Sequence, residues 1–294
     1  MNNVLKLIKP SEALPIIYDS PHSGDIYPDD FRYACDFNEL EQAEDKHVDD
    51  LFESVRHHGG TLLTAQFPRS YIDVNRTAED IDIDLIDGQW QEDKFGSIDP
   101  SSRSDAGIGL IRRLVRPGVP VYDRPLSPEE IIQRIKTYYT PYHAKLEELI
   151  EEAHYNFGEV WHINCHSMPS ASARPRVPIG LRGFRALNSD FVIGDRDGST
   201  ADLHFRHAIA DFLKSLGHIV SINDPFKGVE LVRRYSNPAR GRHSIQIEIN
   251  KALYMNETTG EKNRNYNALK GDIEKLCAFI ADYARANLVQ KAAD

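Results

Sequence analysis

Short apolar runs alternate along the chain with longer amphipathic stretches. Residues 15–19 form one such run around Ile16 and Ile17, and it passes straight into Ser20-Pro21-His22-Ser23-Gly24. Its near-continuous apolar character predicts a buried strand, and Pro21 and Gly24 predict the turn after it. Residues 160–170 follow the same plan: Trp161 and Ile163 predict a buried strand, which ends in Cys165-His166-Ser167 before Pro169. Strands are also predicted over 61–65, 71–74, 191–194 and 219–223. Residues 244–250 alternate strictly, with Ile245, Ile247 and Ile249 on one face and Gln246, Glu248 and Asn250 on the other, the period of a strand.

Helical periodicity separates these strands. Val48, Leu51, Phe52 and Val55 predict a helix over about 41–58, stopped by Gly59-Gly60. Ser127-Pro128-Glu129-Glu130 is a capping-box start for a helix that runs to about residue 157, interrupted at Pro141. A helix over about 201–216 is capped by Ser199 or Thr200 and ended by Gly217, and a closing amphipathic helix covers about 262–288. The long helix feeding the strand at 160 is half of a parallel crossover. The acidic stretch 79–107, with turns at Gly96 and Pro100, reads as a long surface excursion. No repeat or linker divides the sequence. The expected fold is therefore α/β, a single domain over 1–294 with a central mixed, largely parallel sheet flanked by helices.

Composition narrows the function classes. A net charge of −10 argues against nucleic-acid binding through phosphates. No apolar run approaches the length that spans a bilayer, and residues 1–10 lack the apolar core of a signal peptide. Three cysteines, Cys35, Cys165 and Cys277, make neither a disulfide framework nor a zinc knuckle, which points to a reducing cytoplasm. The expected partner is a small molecule, with neither nucleic acid nor membrane involved.

The candidate chemistry sits at strand ends. His22 and His166 each lie at or just past the carboxyl end of a predicted strand, where open α/β sheets bind ligands. Asp25 gives His22 a His-x-x-acid spacing. Asp45 falls one helical turn before Val48 on the buried stripe, with His47 and Asp49 at its flanks. A buried acid needs a partner, and a helix N-terminus and a metal ion both qualify. In Arg69-Ser70-Tyr71-Ile72-Asp73-Val74-Asn75-Arg76, the polar residues alternate with Ile72 and Val74. This is either a solvated edge strand or a place where Asn75 and Arg76 grip a carboxylate. Two histidines and a carboxylate can form a three-ligand zinc site with an open position. Glu248 can then carry a proton, and Arg69 can stabilise an oxyanion. A cysteine hydrolase built on Cys165 and His166 is disfavoured, because adjacent residues of a strand point to opposite faces.

Taken together, these segments resemble the N-formylglutamate amidohydrolases, enzymes of histidine breakdown that release formate and glutamate. The resemblance rests on Ser20-Pro21-His22-Ser23-Gly24, Asp45-x-His47, Arg69-x-Tyr71 through Arg76, Cys165-His166-Ser167 and Phe226-Lys227-Gly228. It continues through Arg233 with Tyr235, Asn237-Pro238-Ala239, His243-x-x-Gln246-x-Glu248 and Tyr254-Met255-x-Glu257. More distantly the set is similar to zinc carboxypeptidases and aspartoacylases, which implies a zinc carboxypeptidase-like (phosphorylase/hydrolase-like) fold. The resemblance implies one zinc ion per chain, with His22 and His166 as ligands and Asp45 as the third, ahead of Asp25 and His47. It implies Glu248 as general base, Arg69 at the oxyanion, and Asn75 with Arg76 on the substrate carboxylate. Asn164 departs from the acid that the family commonly carries two residues before the second histidine, and the basic stretch 174–182 also differs. An N-formylglutamate substrate has a second carboxylate, for which Arg176 and Arg233 are the candidates. The alternatives are a related zinc amidohydrolase or carboxypeptidase-like enzyme of other specificity, and a non-catalytic module that binds metal or carboxylate.

Overall fold

The computed structural model describes residues 4–176 and 187–293. In chain order the strands are β1 Leu5–Ile8, β2 Ile16–Ser20, β3 Thr61–Ala65, β4 Leu114–Arg116, β5 Val119–Pro120, β6 Val160–Met168, β7 Phe191–Gly194, β8 Val220–Ile222 and β9 Arg242–Asn250. The helices are α1 Phe37–Glu41, α2 Val48–Leu51, α3 Glu92–Phe95, α4 Ser102–Asp105, α5 Pro128–Arg134, α6 Thr140–Phe157, α7 Leu203–Ser215, α8 Glu230–Arg234 and α9 Tyr266–Ala293. Among the described residues, no helix is long and apolar enough to cross a membrane. The chain divides into two compact units that alternate along the sequence. The first comprises Met1–Lys6, Pro21–Lys46 and Thr64–Leu146; the second comprises Leu7–Ser20, His47–Leu63 and Glu147–Asp294.

Seven of the strands form a sheet of order β1-β3-β2-β6-β9-β7-β8, and β2, β6, β7, β8 and β9 lie wholly in the second unit. The pairs β2/β6, β6/β9 and β7/β8 are parallel, and β7/β9 is antiparallel. This is the α/β architecture with a largely parallel sheet that the alternation of runs predicts. One face of the central strands carries Tyr18, Trp161, Ile163, Cys165, Ile245 and Ile247, packed with Phe205 and Ile209 of α7 and Ile273 and Ile280 of α9. The other face carries Asp19, His162, Asn164, His166, Ser244, Gln246 and Glu248, and all of these are buried too. The parallel register sets them in rungs: His162 beside Ser244, Asn164 between Asp19 and Gln246, and His166 beside Glu248. A parallel sheet is covered on both sides, so the polar face of 244–250 is a buried ladder, not a wet surface.

Several local predictions give way to tertiary structure. The helix over 41–58 is two shorter pieces, because His47 takes a left-handed backbone (φ 67°) ahead of α2 and residues 53–58 tighten into a 3₁₀ helix. The stripe Val48, Leu51, Phe52 and Val55 is still fully buried, but Asp45 lies before the helix and not on it. Residues 127–157 form α5 and α6 with a π-helical segment, Ile135–Tyr139, between them. Pro141 has no N–H to close an ordinary turn, and the wider turn precedes it. The cap of α7 is Asp202, whose carboxylate accepts from the His204 and Phe205 amides, and not Ser199 or Thr200.

The first unit holds few strands. Residues 71–74 are turns, not a strand: Tyr71 N–H donates to Pro68, Asp73 N–H to Leu110 and Arg76 N–H to Asp73. Arg134 anchors this unit's core, donating to Tyr71 O (3.0 Å), Tyr122 Oη (2.6 Å) and Glu130 (2.7 Å), and lying 4.0 Å over the Tyr71 ring. The acidic excursion is stitched at its base. Asp80 accepts from the Ser101 amide and from the Ser101 and Ser104 hydroxyls, and Arg113 pairs with Asp82 at 2.6 Å.

Candidate functional site

In the first unit the site is organised around Asp73, which is fully buried. One oxygen, Oδ1, accepts from His22 Nε2 at 2.7 Å and from the Asn75 amide at 2.9 Å. The other, Oδ2, accepts from Arg69 at 2.8 Å, with Arg76 Nη2 3.9 Å away. Burial alone would raise this carboxyl's pKa, but Arg69, His22 and Arg76 outweigh it and hold the group well below the usual carboxylate range. An ionised Asp73 is acceptor-only, so His22 must carry its proton on Nε2, and Nδ1 then bears the lone pair. That nitrogen stands 3.4 Å from Asp45 Oδ2. A lone pair facing a carboxylate is repulsive unless a cation, either a proton or a metal ion, stands with them. The donor set on this side therefore suits a metal ion.

Local backbone geometry holds the pair. The Asp45 amide donates to the His22 carbonyl at 3.0 Å, and the Ile26 amide donates to Gln66 at 2.9 Å. Gly24 lies so close to the Gln66–Phe67 backbone that an added Cβ would fall 2.4 Å from Gln66 C. Only glycine permits that approach. Arg76 is buried and partly committed to main chain, donating to Asn75 O (2.8 Å) and Ile108 O (3.3 Å). Burial lowers its guanidinium pKa to about 10 against the opposing pull of Asp73.

In the second unit a hydrogen-bonded chain runs along the polar face of the sheet. Asn164 Nδ2 donates to Asp19 Oδ1 at 2.8 Å, which turns the amide oxygen towards His166 Nε2, 2.7 Å away. His166 thus donates through Nε2 and bears its lone pair on Nδ1, as His22 does. Asp19 Oδ1 also meets His162 Nε2 at 2.9 Å, and His162 Nδ1 meets Ser244 Oγ at 2.7 Å. Beside His166 on the next strand, Glu248 Oε1 accepts from Gln246 Nε2 at 2.9 Å, and the residue is only 8% exposed.

The remaining sequence candidates are exposed or bonded within the fold. Asp25 is exposed. His47 directs Nε2 at Gly260 O (2.9 Å) and its ring at Tyr266, which is a packing role. Arg176 has an 85% exposed side chain, and Arg233 is 54% exposed and bound to Glu230 at 2.6 Å. Neither is built as a buried anion site. The rest of the basic stretch, 177–182, lies outside the described residues. Cys165 points into the apolar core, where burial, with Asp19 and Cys277 nearby, pushes its thiol well above the ordinary range, so no thiolate forms there. Two contributors carry no role in the sequence reading: Asp73 as the orienting carboxylate and Asp19 behind Asn164. The Arg69–Arg76 motif contains Asp73, but pairing it with His22 joins positions 51 apart.

Residues 14–255 match the family model described as N-formylglutamate amidohydrolase. The crystal structure of N-formylglutamate amidohydrolase from Ralstonia eutropha JMP134 is similar to this chain at 43% identity and a TM-score of 0.89, covering 96% of this chain and 99% of that one. The N-formylglutamate deformylases of Pseudomonas aeruginosa and Pseudomonas putida are 26% identical over 255 residues and 24% identical over 253 residues. Each match covers 83% of this chain and 83% of the relative.

Proposed function

This chain belongs to the N-formylglutamate amidohydrolase family, and from that premise we propose that it hydrolyses N-formyl-L-glutamate to formate and L-glutamate, using one zinc ion per chain. In this reading His22, Asp45 and His166 hold the ion, and both units serve one catalytic domain. Among the described residues these three, all buried, are a histidine and carboxylate set suited to a metal ion. The observation that carries the reading is the matched tautomer of the two histidines. Each commits its Nε2 proton to an oxygen acceptor, Asp73 or Asn164, and so each offers Nδ1. When bound, the ion supplies Lewis-acid polarisation of the formyl carbonyl and makes water a stronger acid.

The protein's own groups do the rest. Glu248 takes a proton from the attacking water as its oxygen bonds to the formyl carbon. It returns a proton to the amide nitrogen as the C–N bond breaks. Arg69, fixed by Asp73, faces the developing oxyanion. Asn75 and Arg76 hold the α-carboxylate. The family's place in histidine breakdown and a reducing cytoplasm, which suits three free thiols, complete the proposal.

Formate release from N-formylglutamate and N-formylalanine by zinc-loaded protein tests it. A hydrogen bond to a charged group contributes about 1.5–3 kcal/mol, so N-formylglutamate should be favoured by at least about 10-fold in kcat/KM. Equal rates would leave an amidohydrolase of other specificity, and no release from either compound would overturn the reading.

A further inference from the structure

We infer that Arg112 recognises the second, side-chain carboxylate of the substrate and so sets the preference for an acidic acyl amino acid; the inference rests on the reading above. Arg112 is 8% exposed, yet among the described residues its guanidinium makes one long hydrogen bond, Nη1 to Val115 O at 3.5 Å. Arg134 in the same unit shows what a fold-holding arginine does: its two Nη atoms serve three acceptors. A guanidinium offers five donors, and the fold uses little of this one.

The charges around Arg112 explain what it lacks. Burial pushes its pKa down to about 9, and repulsion from Arg69 and Arg76 adds to that against the attraction of Asp73 and Asp45. Neither carboxylate is available to it as a private partner. Both oxygens of Asp73 are taken by His22, Asn75 and Arg69, and Asp45 belongs to the proposed metal set. A buried cation left in this condition is costly, and an anion that enters and pairs with it removes the cost. A carboxylate matches the planar fork of a guanidinium.

The backbone also sends Arg112 to the same place as the α-carboxylate grip. Asp73 N–H donates to Leu110 O at 2.7 Å, and Arg76 Nε donates to Ile108 O at 3.3 Å. Residues 108–112, where the acidic excursion returns, are therefore bonded directly to the Asp73–Arg76 segment. Arg176 and Arg233, both exposed, offer no comparable buried charge.

The test uses the zinc-loaded full chain and the variants Arg112→Gln and Arg112→Lys. The kcat/KM ratio of N-formylglutamate to N-formylglutamine, its neutral near-isostere, should fall at least about 10-fold in Arg112→Gln, chiefly through KM for the acid. Arg112→Lys should recover part of the ratio, because it keeps a charge without the fork. Equal losses on both substrates, or an unchanged ratio, overturn the assignment. Calorimetric titration with glutarate separates this inference from the function it rests on. If neither formyl compound is hydrolysed, glutarate binding that Arg112→Gln abolishes keeps the assignment. Equal binding by variant and wild type, or none by wild type, overturns it. If Arg112→Gln fails to fold, Arg112→Lys carries both measurements.

Discussion

At the scale of single residues, Glu248 is the proposed proton carrier. Its carboxylate is buried on the rung beside His166, with one oxygen held by Gln246. Glu248→Gln keeps the shape and removes the proton acceptor, so turnover of N-formylglutamate should drop by at least about 100-fold while zinc content is unchanged. Turnover near that of the wild type would make Glu248 a structural member of the ladder. The sequence displays these acceptors and donors unevenly. His22 and His166 are legible because each closes an apolar run, and Glu248 because strict alternation isolates it on one face. Their orienting partners are not legible. The Asp73–His22 contact joins two turns 51 positions apart, and the Asp19–Asn164 contact joins two strands 145 apart. Nothing in local periodicity reports such a pairing. Arg112 is the extreme case: an arginine in an irregular return segment has no pattern to mark it, and its meaning comes from what it fails to bond.

At the scale of elements, burial decides which predictions survive. Strands β2, β6, β7 and β9 are near-continuous apolar or strictly alternating runs and are buried along their lengths, so pattern and structure coincide. The helix over 41–58 fails because its apolar stripe is satisfied equally well by α2 followed by a 3₁₀ turn, and the left-handed His47 breaks the path between them. The element that secures α2 is an ion cluster: Asp50 accepts from Lys262, Lys270 and Tyr266, which tie α2 to the start of α9. Burial would raise the Asp50 pKa, but these donors outweigh it and hold the group below its usual value. A carboxylate with a depressed folded pKa stabilises above its unfolded pKa of about 3.9 and loses that contribution as pH falls through the folded value. Asp50→Asn should therefore cost about 1 kcal/mol in denaturant unfolding at pH 7, a modest figure because the cluster is partly solvent-screened. The gap between variant and wild type should close as pH is lowered below about 4. A difference that persists undiminished at pH 2 would assign the effect to packing.

At the scale of the whole molecule, the proposed metal has a thermodynamic consequence. His22 and Asp45 belong to the first unit and His166 to the second, and the family match at 14–255 runs through both. If the proposed ligands act on one ion, binding favours only the state in which all three donors are folded and supplied together. Free zinc at about 100 times its dissociation constant should then add about 2.7 kcal/mol to unfolding stability, and a chelator should remove it. His22→Ala and His166→Ala each delete one nitrogen donor, so each should abolish most of the zinc-dependent rise in Tm measured from its own zinc-free Tm, which itself falls because the buried acceptor on Asp73 or Asn164 loses its partner. Differential scanning calorimetry across a zinc titration reads all of these. A rise in Tm that persists in His166→Ala as large as in wild type would remove that histidine from the ligand set and confine the ion to the pair His22 and Asp45.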